Sequence, residues 1–170
     1  MKHTVSVLVE NKPGAIARVS TMFARRGFNI DSLSVGPTER HDVSRITLRV
    51  DCERHSIEQI EKQMHKLVNV LRGSELEPGD AVERELALIK VHAPAEKRHE
   101  LVALAEVFHA RVADLGADAM IFEVVGSPEE LDSFEELVRP YGVKEMARTG
   151  RIGLGRSSSS VDGSTRKQHV

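Results

Sequence analysis

Tryptophan is absent from this 170-residue sequence, and tyrosine occurs once, at Tyr141. With aromatic residues at only 4%, no platform for stacking nucleobases is visible, and the core must be aliphatic. Charge offers no substitute for stacking. The 24 basic and 26 acidic residues leave a formal charge of -2, which argues against electrostatic attraction to nucleic acid. Cys52 is the single cysteine, so an internal disulfide is excluded and a reducing cytosol suits the chain. No hydrophobic run approaches a membrane span, and the apolar stretch after Met1-Lys2-His3 ends at Glu10, too soon for a signal peptide. These absences predict a soluble cytoplasmic protein. Its 40% hydrophobic residues can build a proper core, in one large domain or two small ones.

What is present is concentrated in the stretch from Val5 to Asp31. Val5, Val7 and Val9 alternate with Ser6, Leu8 and Glu10, as in a strand. The polar turn Asn11-Lys12-Pro13-Gly14 breaks that pattern, and an amphipathic helix follows with Ile16, Val19 and Phe23 about one turn apart. Gly27 stops the helix, and Phe28-Asn29-Ile30 begins a new extended run. A strand, a glycine turn and a helix start aim free backbone N–H groups and the positive end of a helix dipole at whatever lies over Gly14. A small anion such as an amino-acid carboxylate suits that place. The turn is too short, and its glycines too few, for a nucleotide phosphate loop.

The rest of the first half completes a βαββαβ pattern. Ile30 to Val35 reads as a strand ending at Gly36-Pro37, and Val43 to Asp51 alternates again across a hairpin. Ser56 and Gln59 have capping-box spacing ahead of the stripe Ile57, Ile60, Met64 and Leu67, and Val68 to Glu75 closes the unit. In this α+β, ferredoxin-like arrangement two helices cover one face of a four-stranded antiparallel sheet. The uncovered face and edge strands favour pairing with a second copy, which would put the Asn11–Gly14 turn near a subunit boundary.

Beyond Glu77-Pro78-Gly79-Asp80 the pattern runs a second time. Glu85 to His92 is a strand whose run Leu86-Ala87-Leu88-Ile89 suggests burial on both faces. Leu101, Leu104 and Phe108 mark a helix, with strands around Arg111 to Asp114 and Ala119 to Val125. Ser127-Pro128-Glu129-Glu130 is a helix start with cap, N1 proline and capping-box Glu. Leu131, Phe134 and Leu137-Val138 supply that helix's buried face, and Val143 to Arg148 is the last strand. The expected division is therefore a sensing domain at 1–77, a linker at 78–84, a second α+β domain at 85–154 and a disordered tail at 155–170.

Few residues suggest chemistry. Cys52 and His55 cannot converge from a strand end, so Cys52 reads as a solvent-edge thiol. The histidines show no metal-binding spacing, and His65 and His99 fall on polar helix faces. Glu129-Glu130 and Glu135-Glu136 belong to helix starts and exposed faces. The run Gly150-Arg151-Ile152-Gly153-Leu154-Gly155 opens no helix and reads as a turn into the tail. Asn11 and Asn29 stand out. Both are expected at the same end of the sheet beside the helix start, where an amide suits both carboxylate and ammonium, although Asn11 also suits a simple turn.

The unit from Val5 to Glu75 resembles an ACT domain, the amino-acid-sensing module of many biosynthetic enzymes. The runs VLVENKPGAIARV, FARRGFNIDSLSVGPT, SRITL, QIEKQMHKLVNVL and VERELALIKV resemble the regulatory (small) subunits of acetohydroxyacid synthase, also called acetolactate synthase. The likeness is strong from Lys2 to Ala93 and weaker to about Leu154. It implies a non-catalytic partner of a thiamine-diphosphate enzyme that condenses pyruvate with pyruvate or 2-ketobutyrate, on the way to valine, leucine and isoleucine. Such subunits activate the catalytic (large) subunit and confer feedback inhibition, usually by valine. The implied effector contacts are Asn11, Gly14 and Asn29, with backbone contacts from Ala15 and Ile30. Thiamine diphosphate, FAD and Mg²⁺ belong to the large subunit, and this chain carries no motif for them. A free-standing amino-acid sensor is the alternative. An acylphosphatase-like hydrolase shares the topology but needs an Arg where this turn offers only Lys12.

Overall fold

A computed structural model describes residues 2–157, apart from the side chains of Arg54 and His55. The first unit follows the expected order: β1 (Lys2–Glu10), α1 (Ala15–Arg25), β2 (Asn29–Pro37), β3 (Val43–Asp51), α2 (Arg54–Met64) and β4 (Val70–Leu76). Its antiparallel sheet has strand order β2-β3-β1-β4, which leaves β2 and β4 as edges. The alternation in β1 puts Val5, Val7 and Val9 under the helices with Ile46, Leu48 and Val50 of β3, as the period of two requires.

Several local readings need correction. On α1 the buried stripe is Ala15, Val19 and Phe23, spaced by four, while Ile16 is 43% exposed. Ser56 does not cap α2. That helix begins two residues earlier, after an extended Glu53, and the Ser56 N–H donates to the Glu53 carbonyl. The fourth strand starts at Val70, with Val68 outside the core and 85% exposed. Cys52 is partly buried and packs against the first core. Burial pushes its thiol up, the reverse of an activated nucleophile.

The second unit repeats the topology with β5 (Ala81–His92), α3 (Arg98–Val107), β6 (Arg111–Leu115), β7 (Ala119–Gly126), α4 (Pro128–Val138) and β8 (Val143–Arg148). Its strand order is β6-β7-β5-β8, and a short β9 (Ile152–Gly155) pairs with the beginning of β5. Ser127 caps α4 through the expected reciprocal box: Glu130 N–H donates to Ser127 Oγ, and Ser127 N–H to Glu130 Oε2 at 2.6 Å. Leu131, Phe134 and Val138 are buried, whereas Leu137 is exposed. The central strand is not buried on both faces. Ala87, Ile89 and Val91 face the helices, but Leu88 between them is 40% exposed.

The connection is shorter than 78–84, because strand β5 is already formed at Ala81. Gly150–Gly155 is likewise no simple turn into a tail. Its last four residues form β9, and Arg156 N–H donates to the Asp80 carbonyl at 2.8 Å. Of the segment expected to be a tail, residues 158–170 lie outside the described residues.

β9 and the start of β5 also change what happens to the uncovered face of the first sheet. That face carries Thr4 and Ser6 of β1, Thr47 of β3 and Ser34 of β2. Thr47, Ser6 and Thr4 are nevertheless buried, at 2%, 5% and 6% exposure. The second unit leans on this face. A Cβ on Gly150 would lie 2.8 Å from the Leu33 backbone, and one on Gly153 would lie 2.7 Å from Leu76 Cδ1. The chain covers with its own second unit a surface that the sequence pattern assigns to a second copy. The β2 edge keeps its apolar Leu33 and Val35 about 40% and 39% exposed.

Candidate functional site

Gly14 sits at the N-cap of α1 with φ 85°, a left-handed conformation that favours glycine. No side chain caps this helix, and no acidic residue occupies its first turn. The turn is held by its own backbone: Asn11 N–H donates to the Asp42 carbonyl, Lys12 N–H to Glu10, and Ala15 N–H to Lys12 at 3.3 Å. Ala15 N–H is thus already engaged, though at a long distance. A side chain on Gly14 would meet nothing within 4 Å, so the space over the helix start is open. An uncapped helix start facing open space is an anion-binding geometry.

The neighbouring charges are settled among themselves. Lys12 pairs with Glu10 at 3.1 Å. Hydrogen bonds from Lys12 and then Asn69 hold the Glu10 carboxyl below the usual carboxylate range. Asn11 is exposed, and its Nδ2 donates to the His41 carbonyl at 3.5 Å, the limit of a hydrogen bond. The turn uses little of that amide's capacity.

Asn29 is elsewhere. It opens β2 opposite Asp51, whereas Glu10, just before Asn11, stands opposite Val43. Eight residues of β3 separate the two positions, about 26 Å at strand rise. Within one chain Asn11 and Asn29 lie at opposite ends of the sheet, not together. β1 and β2 run in the same direction, and α1 carries the chain from the end of β1 back to the opposite end of the sheet, where β2 begins. Asn29 Nδ2 donates to Asp31 Oδ1 at 3.2 Å, and Asp31 pairs with Lys2 at 2.8 Å. The β2–β3 register shifts between Ile30 and Ser32, so Ile30 borders a bulge, a common device for re-aiming backbone groups.

The Asn29 end of β2 faces the second unit across a polar cleft walled by Arg148 to Arg151. There Glu85, 7% exposed, receives both Arg148 Nε and Arg151 Nε, and Arg151 also reaches Glu83 at 2.9 Å. Ser32 Oγ is buried with no partner among the described residues. Sequence reasoning missed this wall. Its signal was the spacing of Gly150 and Gly153, read as a turn although it serves close backbone approach. Among the described residues no cluster of His, Cys, Asp and Glu could hold a metal ion, and no helix is long and apolar enough to cross a membrane.

Two consecutive ferredoxin-like sheets, the first with a glycine-started helix open to a ligand, define a protein of the ACT-domain class. The family model for the AHAS small subunit-like ACT domain matches residues 5–72, and that for the small subunit of acetolactate synthase matches residues 84–157. A probable acetolactate synthase small subunit of Archaeoglobus fulgidus is 51% identical over 158 residues, 93% of this chain and 99% of that protein. The acetolactate synthase small subunit of Mycolicibacterium smegmatis is 45% identical over 94% of each chain. The crystal structure of the acetolactate synthase small subunit from Thermotoga maritima matches with a TM-score of 0.85 at 40% identity, over 92% of this chain and 98% of that one. The chain belongs to the small, regulatory subunit family of acetolactate synthase, which implies a catalytic large subunit as its partner.

Proposed function

We propose that this chain activates a thiamine-diphosphate-dependent acetolactate synthase large subunit and makes it sensitive to inhibition by a branched-chain amino acid, valine foremost. Its own residues supply no catalytic group; thiamine diphosphate, FAD and Mg²⁺ stay with the large subunit, in the cytoplasm. The observation that carries the effector reading is the open, uncapped helix start over Gly14. The effector's carboxylate meets the N–H groups there, beside the under-used amide of Asn11. The sensing domain is residues 1–77, and the second domain opens with β5 at Ala81 and closes with β9 at Gly155.

Asn29 and Ile30 join this site from a second copy. β2 is an edge strand with exposed Leu33 and Val35, and exposed apolar edges favour pairing. Antiparallel pairing of two β2 strands about a two-fold axis carries Asn29 of one copy toward the Pro37 end of the other, the end that holds the Asn11–Gly14 turn. The homodimer therefore has two equivalent effector sites, each drawn from both copies.

Co-purification with the large subunit, followed by assay of acetolactate formation with and without valine, tests the function. The expected result is higher activity with this chain present and inhibition by valine only in its presence. Equal activity and equal inhibition without the chain would overturn the proposal.

A further inference from the structure

Between the formerly uncovered face of the first sheet and the β5–β9 ribbon runs a second groove, of roughly 620 Å³. It is separate from the Gly14 turn, which lines no part of it. One wall is aliphatic, with Val82, Ile152 and Leu154, each between 40% and 60% exposed. The opposite wall carries Arg45 and Thr47. Arg45 is half-buried, and its Nη1 donates to Ser6 Oγ at 2.7 Å. A guanidinium has five donors and needs an anion when water is restricted. No carboxylate lies within ion-pair reach of Arg45 among the described residues, although Arg49, Arg148 and Arg151 each have one. Arg84 stands exposed at the rim, where its Nη1 donates to the Glu83 carbonyl at 2.7 Å.

We propose that this groove is a second ligand site, for a small carboxylate with a branched aliphatic body. The carboxylate sits on Arg45 in charge-assisted, bidentate geometry. The aliphatic body displaces water from Val82, Ile152 and Leu154, and Thr47 and Ser34 border the head group. Two sources share this chemistry, a branched-chain amino acid and a branched 2-oxo acid. An ammonium would need its own acceptor, and among the described residues exposed Glu39 at the rim is the one acidic side chain that lines the groove. The position gives a ligand leverage, because it would touch the first sheet and the second unit at once.

The test uses the full chain, with isovalerate as the probe and amide chemical-shift mapping as the readout. Isovalerate should shift residues 34–38, 82–84 and 152–154 saturably. Acetate and isobutanol, which keep only head or body, should bind at least about tenfold more weakly. Arg45→Met keeps length and apolar volume and should weaken isovalerate by about tenfold or more, as expected for loss of a charged hydrogen bond. Val82→Glu, which supplies a carboxylate within the groove, should do the same by competition. Gly14→Asp should remove any isovalerate shifts at residues 11–15 while leaving those at 82–84 and 152–154 unchanged, which separates this site from the effector site proposed above. Parallel titrations with valine and 2-oxoisovalerate identify the source, the one that needs Glu39 being the amino acid. Shifts confined to residues 11–15 and 29–30, or undiminished binding in both groove variants, would overturn the proposal. So would a change of sedimentation with Arg45→Met and none in isovalerate affinity, because the groove would then be a contact between copies.

Discussion

If each effector site is drawn from two copies, two damaged chains should repair each other. Gly14→Asp and Asn29→Ala are the lesions. At φ 85° an aspartate is among the side chains that tolerate the left-handed region best, at about 1 kcal/mol. Its Cβ meets nothing within 4 Å, and its charge at a helix start returns roughly 0.3–1 kcal/mol. Folding should therefore change little. The effector carboxylate, however, would face a like charge. At about 4 Å and an effective dielectric near 20 the repulsion is roughly 4 kcal/mol, and about half that when solvent screening is strong. Affinity should fall by a factor of roughly 30 to 1,000. Asn29→Ala removes a neutral hydrogen bond, roughly 0.5–1.5 kcal/mol, or more if its partner is charged. In a mixed dimer one site collects both lesions and the other collects neither. Random 1:1 exchange makes about half of the dimers mixed, so about a quarter of all sites should regain wild-type affinity. Calorimetry with valine on each homodimer, and on the two unfolded and refolded together, reads this directly. No wild-type-affinity sites in a mixture whose copies are shown to have exchanged would refute the shared site. Normal valine binding by the Gly14→Asp homodimer would refute the helix-start contact itself.

Asn11→Ala should shift thermal stability without effector by less than about 0.5 kcal/mol, because the turn uses that amide only at 3.5 Å. The inhibition curve should still move to higher valine. Loss of stability with an unmoved curve would return Asn11 to a turn role. Gly150→Ala should destabilise by about 1–3 kcal/mol in urea unfolding, since its Cβ would press on Leu33 backbone atoms that cannot rotate away. Gly36→Ala, with nothing within 4 Å, is the control and should fall within about 0.5 kcal/mol of wild type. Ser127→Ala should cost about 1 kcal/mol at neutral pH. Hydrogen bonds from the Ser127 backbone and side chain lower the folded-state pKa of Glu130 from its usual 4.5. That contribution is complete above the unfolded value and is lost as pH falls through the lowered folded one. Ser127→Ala keeps the backbone N–H that is the larger cause and removes only the side-chain part, so the difference should shrink slightly in acid, and a difference that grows below pH 4 would contradict the cap.

The parts of this fold that were legible in the sequence are those decided locally. Period-two alternation in Val5–Val9 and Ile46–Val50, and the Ser127-Pro128-Glu129-Glu130 start, involve neighbours within a few residues, so the pattern and the outcome coincide. The topology followed because βαββαβ order leaves few antiparallel solutions. Ile16 was misread because a spacing of three and one of four both fit so short a helix; only the angle of α1 on the sheet selects Ala15, Val19 and Phe23. The Leu86–Ile89 run was misread because hydrophobicity alone does not say that a face is covered. For the site, the helix start at Gly14 was legible from residue types. The separation of Asn29 from Asn11 was not, because it depends on which end of the sheet each strand enters from.

Polarity does not mark the first sheet's second face as bare. Thr4, Ser6 and Thr47 alternate with buried valines and leucines, the usual mark of a face turned to water. They are buried because another layer lies on them. Hydroxyls suit such a seam: short and able to bond locally, they impose less desolvation than a charge would. The layer can come close only if its backbone carries no side chain at the points of contact, and Gly150 and Gly153 are where it touches Leu33 and Leu76. Leu33 shares its face with Leu48, toward the helices, so its backbone is bare on the side that Gly150 meets. Hydroxyl-lined strands and a distant glycine pair are thus two halves of one contact. β2 then bears the second unit through Leu33 while presenting Asn29 four residues away. Because the Leu33 backbone already lies against Gly150, the single methyl of Gly150→Ala should force the two units apart at this point.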